Sequence, residues 1–477
     1  MTKQCLDRVQ RHKAIRRSCL SLRIIAGLAI CLGIAAVGSR AFGAEELVRN
    51  PRFAPSPAVD APAEWSAWLP DWEPARCTIH ATSDGLRIDA PGRPFAVGGV
   101  WQKVSGIREN QAYAIEAVCQ VENIAAPFQS LHVRVEWFQG AKQLHPAGML
   151  VRGPLVDKDD KGLVRFEDVL VAPAGADAAR LTLEIKWPRG GSILWKQVAM
   201  HETSPPSPRK VKIGTVYLRP RGSTPEKNLD LYCGQVDEAG RLGLDIVCLG
   251  EAITMVGTAK RTVDVAEPIP GPSTERLGEA ARRNRLWVVA GLTERVDDRL
   301  YNTAVLLDRQ GQVAGKYRKV HLPREEWKQG ITPGDEYPVF RTDFGTVATQ
   351  ICYDWFFPES HDIFALRGAE IVLAPTWGDT LPDKDGCANG ETIFRARARD
   401  NGIYLVPSVY DGSSMVIDPL GRILASNKGR EGVFWAEVDL NDRPCLDWVG
   451  HWRSIVPGDR MPSTYGPLLA EPPKPTY

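Results

Sequence analysis

The chain has 477 residues, more than the about 250 to 300 that one hydrophobic core usually organises, so two domains are expected. Hydrophobic residues make up 43% and charged residues 25%, a globular balance that confines disorder to local segments. With 59 basic against 58 acidic side chains, the formal charge of +1 gives no general attraction to nucleic acid or acidic lipid; small molecules are the expected partners.

At the amino end, Lys3, Arg8, Arg11, Lys13, Arg16, Arg17 and Arg23 precede an uncharged apolar run over 24–38. That run is shorter than the ~20 residues of a membrane-spanning helix, and Ala41-Phe42-Gly43 puts small residues at both cleavage-determining positions. The pattern predicts a signal peptide over 1–43, cut before Ala44, and an exported body, periplasmic or secreted. An uncleaved anchor is the alternative, and it too leaves the body outside the cytoplasm. Of ten cysteines, Cys5, Cys19 and Cys31 lie in this segment. An odd number remains, so in an oxidising compartment at least one thiol stays free or pairs between chains. The sequence has no CxxC pair, HExxH or histidine cluster that would argue for a bound zinc.

Over 44–200 the chain reads as short alternating strands punctuated by Gly, Pro and Asn. Tyr113, Ile115, Ala117, Cys119 and Val121 alternate with mostly polar neighbours, as do Leu131, Val133, Val135 and Trp137. Each strand thus has one buried face. Further strands are expected at Leu181, Leu183, Ile185 and Trp187 and over 193–200, giving an antiparallel β-sandwich in which Trp137, Trp187 and Trp195 pack in the core. Pro205, Pro206 and Pro208 make 201–210 a stiff polar linker.

Beyond it, buried strands alternate with helices over 211–445, the pattern of an α/β or α+β domain. Strands are expected over 211–218, 245–249, 286–292, 304–308, 346–352, 371–374 and 403–406. A helix from Ser223 and Pro225 runs to Gly240, another starts near Ser273 and Glu275, a third begins at Pro358 and stops near Gly368, and a fourth occupies 390–401. The tail, 446–477, is Pro-rich from Pro462 and is expected to drape over a surface.

Three residues stand out for chemistry. Cys352 follows an apolar strand and precedes the helix opened by Pro358, a strand-to-helix corner that exposes a side chain at a sheet edge and aims backbone N–H groups at what it attacks. Taken alone, a cysteine after an apolar strand is more often a small core residue. Glu251 emerges from the apolar run 245–250, where a carboxylate is costly unless it faces a cleft; a helix cap or surface charge is the plain alternative. Lys319 lies in the basic stretch 315–323, where any one lysine is ordinarily solvated.

Together they carry a resemblance. Leu249-Gly250-Glu251, Tyr317-Arg318-Lys319-Val320-His321-Leu322 and Cys352-Tyr353-Asp354 followed by Phe357-Pro358-Glu359 occur in the order seen in the nitrilase superfamily of carbon–nitrogen hydrolases. Thr332-Pro333-Gly334-Asp335, Ala374-Pro375-Thr376-Trp377, Arg397-Ala398-Arg399-Asp400-Asn401-Gly402 and Asp418-Pro419-Leu420-Gly421 add to it. The resemblance covers 211–440 and implies a four-layer αββα sandwich, a Glu251–Lys319–Cys352 catalytic triad and no cofactor. It also implies a second glutamate, for which Glu325 and Glu326 compete and Glu326 is preferred on spacing, and a homo-oligomer, dimer or larger.

The implied chemistry is hydrolysis of a non-peptide C–N bond through a Cys352 thioester. Glu251 moves the proton, and Lys319 with the Tyr353 N–H holds the oxyanion. Amides, N-carbamoyl compounds and nitriles all suit these residues, with amides ranked first. A binding protein that kept the fold and lost the chemistry is the alternative. Trp377 is expected to wall the pocket. His321 leaves open a Cys–His arrangement, although bracing of the loop is preferred. The front sandwich resembles carbohydrate-binding-like modules through Asn50-Pro51-Arg52-Phe53 and Val100-Trp101-Gln102-Lys103-Val104, which implies carbohydrate as a second partner.

Overall fold

The computed structural model of the chain describes residues 45–55, 62–90, 92, 94–144, 148–153, 155–156, 162–378, 389–442, 445–446, 450–451 and 458–470. The expected signal segment lies outside them.

The alternating pattern of the amino-terminal half folds as two six-stranded sheets around one core. In one, Ser66–Trp68, Val97–Ser105, Ala178–Lys186, Leu131–Gln139 and Lys142–Gln143 lie side by side, with Met149–Leu150 also paired to Leu131–Gln139. In the other the order is Thr78–Thr82, Gly85–Asp89, Ser192–Thr203, Ala112–Glu122, Leu163–Val171 and Leu155–Val156. Pairing within both sheets is antiparallel. Side chains of alternate residues interdigitate between the sheets, and Trp137 and Trp195 are fully buried there. Trp187 departs from its expected core position: it is 47% exposed. The Ala178–Lys186 strand ends one residue earlier and the backbone turns to φ 47° at Trp187, so strand alternation no longer governs it. Its ring lies instead under the Lys186 ammonium, 5.4 Å away.

The segment expected as a linker is strand at both ends. Ser192–Thr203 runs on because His201, Glu202 and Thr203 pair with Ala114, Tyr113 and Ala112, and the next strand opens at Lys210. Only the proline-containing stretch 204–209 is left between them.

The carboxy-terminal half is built on two further six-stranded sheets. The first has the order Val313–Arg318, Arg299–Leu307, Trp287–Val296, Ile246–Cys248, Lys210–Tyr217, Gly432–Asp439; its three central strands are parallel and its flanks antiparallel. The second has Val339–Arg341, Thr346–Thr349, Ile371–Gly378, Tyr404–Asp411, Met415–Ile417, Ile423–Ser426, with the same parallel centre and antiparallel flanks. Parallel strands buried on both faces need apolar residues at consecutive positions. In Ile246–Cys248, Ile246 and Cys248 face the second sheet, while Val247 packs with Leu229, Val236 and Leu277 of the helices Pro225–Arg241 and Pro272–Asn284. Phe364 of Pro358–Leu366 and Phe394 and Ala398 of Asn389–Asn401 join the core of the second sheet. The layers are therefore helix, sheet, sheet, helix, as expected.

Local boundaries differ in instructive ways. The second helix starts at Pro272 instead of Ser273: Gly271 precedes it, and the Thr274 hydroxyl accepts from the Gly271 N–H at 2.8 Å. The strand expected over 346–352 stops at Thr349, because Cys352 takes φ 40° and opens a tight turn, Cys352–Phe356. In the carboxy-terminal segment, Asp459 pairs with Lys186 of the sandwich at 2.5 Å, and Arg460 reaches Asp362 of the Pro358–Leu366 helix at 3.3 Å.

Gly250, at the end of the Ile246–Cys248 strand, admits no side chain. A Cβ there would sit 2.2 Å from the Tyr410 hydroxyl, which donates to the Glu251 carbonyl at 2.6 Å and is itself bonded to Tyr232 at 3.1 Å. Gly250→Ala must push Tyr410 off this network. A stability loss of about 1–3 kcal/mol, of the size overpacking gives, is expected in urea unfolding; an unchanged midpoint would show that the ring moves freely.

Candidate active site

Three chain segments end at one place between the sheets. Glu251 follows the Ile246–Cys248 strand, Lys319 follows Val313–Arg318, and Cys352 follows Thr346–Thr349. Lys319 and Glu251 are almost fully buried, at 1% and 2% exposure. The Lys319 ammonium donates to Glu251 Oε1 at 3.0 Å and to Glu326 Oε1 at 2.5 Å. Asn302, in the middle of Arg299–Leu307, donates from Nδ2 to the same two oxygens, at 2.7 and 3.3 Å, and its carbonyl accepts from the Lys319 N–H at 2.9 Å. Of the two competing glutamates, Glu326 joins the cluster; Glu325, its neighbour in the helical turn Arg324–Trp327, faces solvent.

Buried charge survives only when paired. Burial by itself would pull the Lys319 ammonium down, but Glu251, Cys352 and Glu326 together outweigh it and hold the group above the ordinary lysine range. Glu326 moves the other way: burial lifts it to about 7, against the pull of Lys319 and with the push of Glu251. Cys352 is a free thiol. Burial, then the charge of Glu251, push it up to about 12, while Lys319 and the backbone N–H groups of Trp377 and Gly378 pull it down. Both charged partners therefore act on the sulfur, and the resting sulfur carries its proton.

The remaining expected residues fall as follows. His321 has its Nδ1 2.9 Å from Asp354 Oδ1 and its ring stacked on Phe357 with centroids 3.9 Å apart, two contacts that brace the loop. Trp377 is half-buried at the site, edge-on to Tyr410 at 5.5 Å. Sequence reasoning missed Asn302, Asp354 and Glu294. Asn302 was detectable as an amide inside an apolar strand, where only a buried polar partner justifies it. Glu294 is fully buried, bonded to Arg318 at 2.8 Å and Thr303 at 2.9 Å and paired with Lys316; it anchors the strand that delivers Lys319.

The family model for carbon–nitrogen hydrolases matches residues 212–443. An omega-amidase of Bos taurus is 32% identical over 237 residues, 46% of this chain and 85% of that protein. A nitrilase of Pyrococcus abyssi is 32% identical over 245 residues, 48% of this chain and 90% of that protein. Among solved structures, an amidase from Nesterenkonia sp. is similar at 26% identity and a TM-score of 0.43, covering 50% of this chain and 95% of that one.

Proposed function

The chain belongs to the carbon–nitrogen hydrolase family, and from that premise we propose that it hydrolyses the C–N bond of an unsubstituted amide through a thioester on Cys352. The observation that carries the reading is the buried Lys319 ammonium held between the Glu251 and Glu326 carboxylates, at 3.0 and 2.5 Å, with the Cys352 turn tied to the Lys319 segment through Asp354.

Because the thiol rests protonated, a base must remove the proton as attack occurs. Glu251 takes it while sulfur bonds to the carbonyl carbon, and the carbonyl electron pair moves to oxygen. Lys319, with the Tyr353 N–H, stabilises that oxyanion. Glu251 then passes the proton to nitrogen, the C–N bond breaks and ammonia leaves. Water, deprotonated by Glu251, attacks the thioester, and the carboxylic acid departs as sulfur recovers its proton. Every proton is accounted for without a cofactor.

The preference for amides rests on acceptors that lack donors. Glu251 Oε2, Glu326 Oε2 and Asn302 Oδ1 are all buried and make no hydrogen bond. A buried acceptor left bare costs about 1–3 kcal/mol. An amide NH2, and the ammonia it becomes, brings donors to such a site; a nitrile brings none.

The test is ammonia release across a matched set of one acyl group presented as primary amide, N-carbamoyl compound and nitrile. We expect the amide to turn over at least about tenfold faster than the nitrile, the ratio that one unsatisfied buried partner gives. Faster nitrile turnover would reverse the assignment, and no ammonia from any of the three would remove it. The basic and apolar amino-terminal segment supports placing this activity outside the cytoplasm.

A further inference from the structure

We propose that Asp354 is a positioning residue that sets the distance between the nucleophile on one sheet and the ammonium on the other, an assignment that rests on the roles given above to Cys352 and Lys319. Its carboxylate is fully buried and accepts four hydrogen bonds. Oδ2 receives the Tyr317 hydroxyl at 2.8 Å and the Ile351 N–H at 3.1 Å; Oδ1 receives the His321 N–H at 3.0 Å and lies 2.9 Å from His321 Nδ1.

The four donors are not a random set. Tyr317 and His321 bracket Lys319 by two residues on either side, and Ile351 immediately precedes Cys352. One carboxylate thus ties the end of the Val313–Arg318 strand to the turn after Thr346–Thr349, which belong to different sheets. The Tyr317 hydroxyl extends the tie by accepting the Val320 N–H at 3.3 Å. Cys352 needs such a hold, since its φ of 40° is a conformation that an L side chain adopts only under restraint. Asp354 closes that turn from both ends, because its own N–H donates to the Ile351 carbonyl at 3.1 Å while its side chain takes the Ile351 N–H. The brace touches no substrate; it holds the two groups that do.

The shape-preserving change is Asp354→Asn. An asparagine offers one oxygen where four donors converge, so its NH2 must face either Ile351 N–H and Tyr317 or the two His321 donors. Tyr317→Phe removes a single bond and leaves the rest. With the primary amide as substrate, we expect kcat to fall about 10- to 100-fold in Asp354→Asn, the range that small misplacement of reacting groups produces. Tyr317→Phe should lose less, and KM should stay within about twofold in both. A purely structural role would lower the melting temperature and the amount of active enzyme without lowering kcat per titrated Cys352 thiol. Wild-type kcat per active site in Asp354→Asn, or a change confined to KM, overturns the proposal. If Asp354→Asn fails to fold, Tyr317→Phe decides, and an unchanged kcat there overturns it equally. Turnover by Cys352→Ala would instead defeat the nucleophile assignment itself, so the two failures are distinguishable.

Discussion

Replacing Lys319 by methionine is expected to cost the protein on two counts at once. Methionine keeps most of the volume and removes the charge. Glu251 and Glu326 would then face each other across Asn302, with their cation gone, in a place where Lys319 is fully buried and Glu251 nearly so. Breaking a buried pair by deleting one partner typically costs about 3–5 kcal/mol, and losing an oxyanion donor costs about 10²- to 10³-fold in turnover.

The stability loss has a sign in pH. In the intact protein burial already lifts Glu326 to about 7, and without Lys319 only the Asn302 hydrogen bond is left to oppose burial and the charge of Glu251. A carboxyl raised above its unfolded value is stable protonated, so its contribution is present at low pH and is lost as pH rises through the folded value. Urea midpoints at pH 5.5 and 8.5 should therefore show a deficit for Lys319→Met that shrinks at the acid end. Equal deficits at both pH values, or normal turnover, would mean that the three side chains do not share one field.

Cys352→Ala should abolish turnover while leaving the fold intact, because the sulfur makes no bridge and the backbone of the turn is held from elsewhere. The φ of 40° adds a discriminating control. A non-glycine residue held there stores about 1–2 kcal/mol, which glycine would release. Cys352→Gly should thus be as inactive as Cys352→Ala and yet unfold at higher urea. A Gly variant less stable than the Ala variant would show that the turn is unstrained, and residual turnover in a purified Ala sample would remove the nucleophile altogether. Since burial, and after it the charge of Glu251, pushes the thiol well above its ordinary range, alkylation of Cys352 by iodoacetamide should be slow in the free enzyme at neutral pH, unlike that of a preformed thiolate.

What the sequence determined by itself was the kind of elements, and it pointed to the residues proposed for the chemistry. Apolar runs such as 246–249 require two covered faces, which dictates sheets between helices; alternation such as Leu131 to Trp137 requires one covered face, which dictates the sandwich. Glu251, Lys319 and Cys352 each end an extended run, a position with plain alternatives in every case, and it was their occurrence together in the order of the nitrilase superfamily that singled them out. Of the partners that give them their properties, Glu326 was named from the resemblance, while the parts played by Asn302 and Asp354 were not read. Asn302 reaches Glu251 and Lys319 only through strand pairing within one sheet, and Asp354 reaches Tyr317 and His321 only because one sheet packs on the other, separations that no local pattern encodes. The turn at Cys352 was hidden for the same reason. A left-handed residue is not a propensity of cysteine but a strain, and it persists because Ile351 and the Lys319 segment are both held by the buried carboxylate of Asp354.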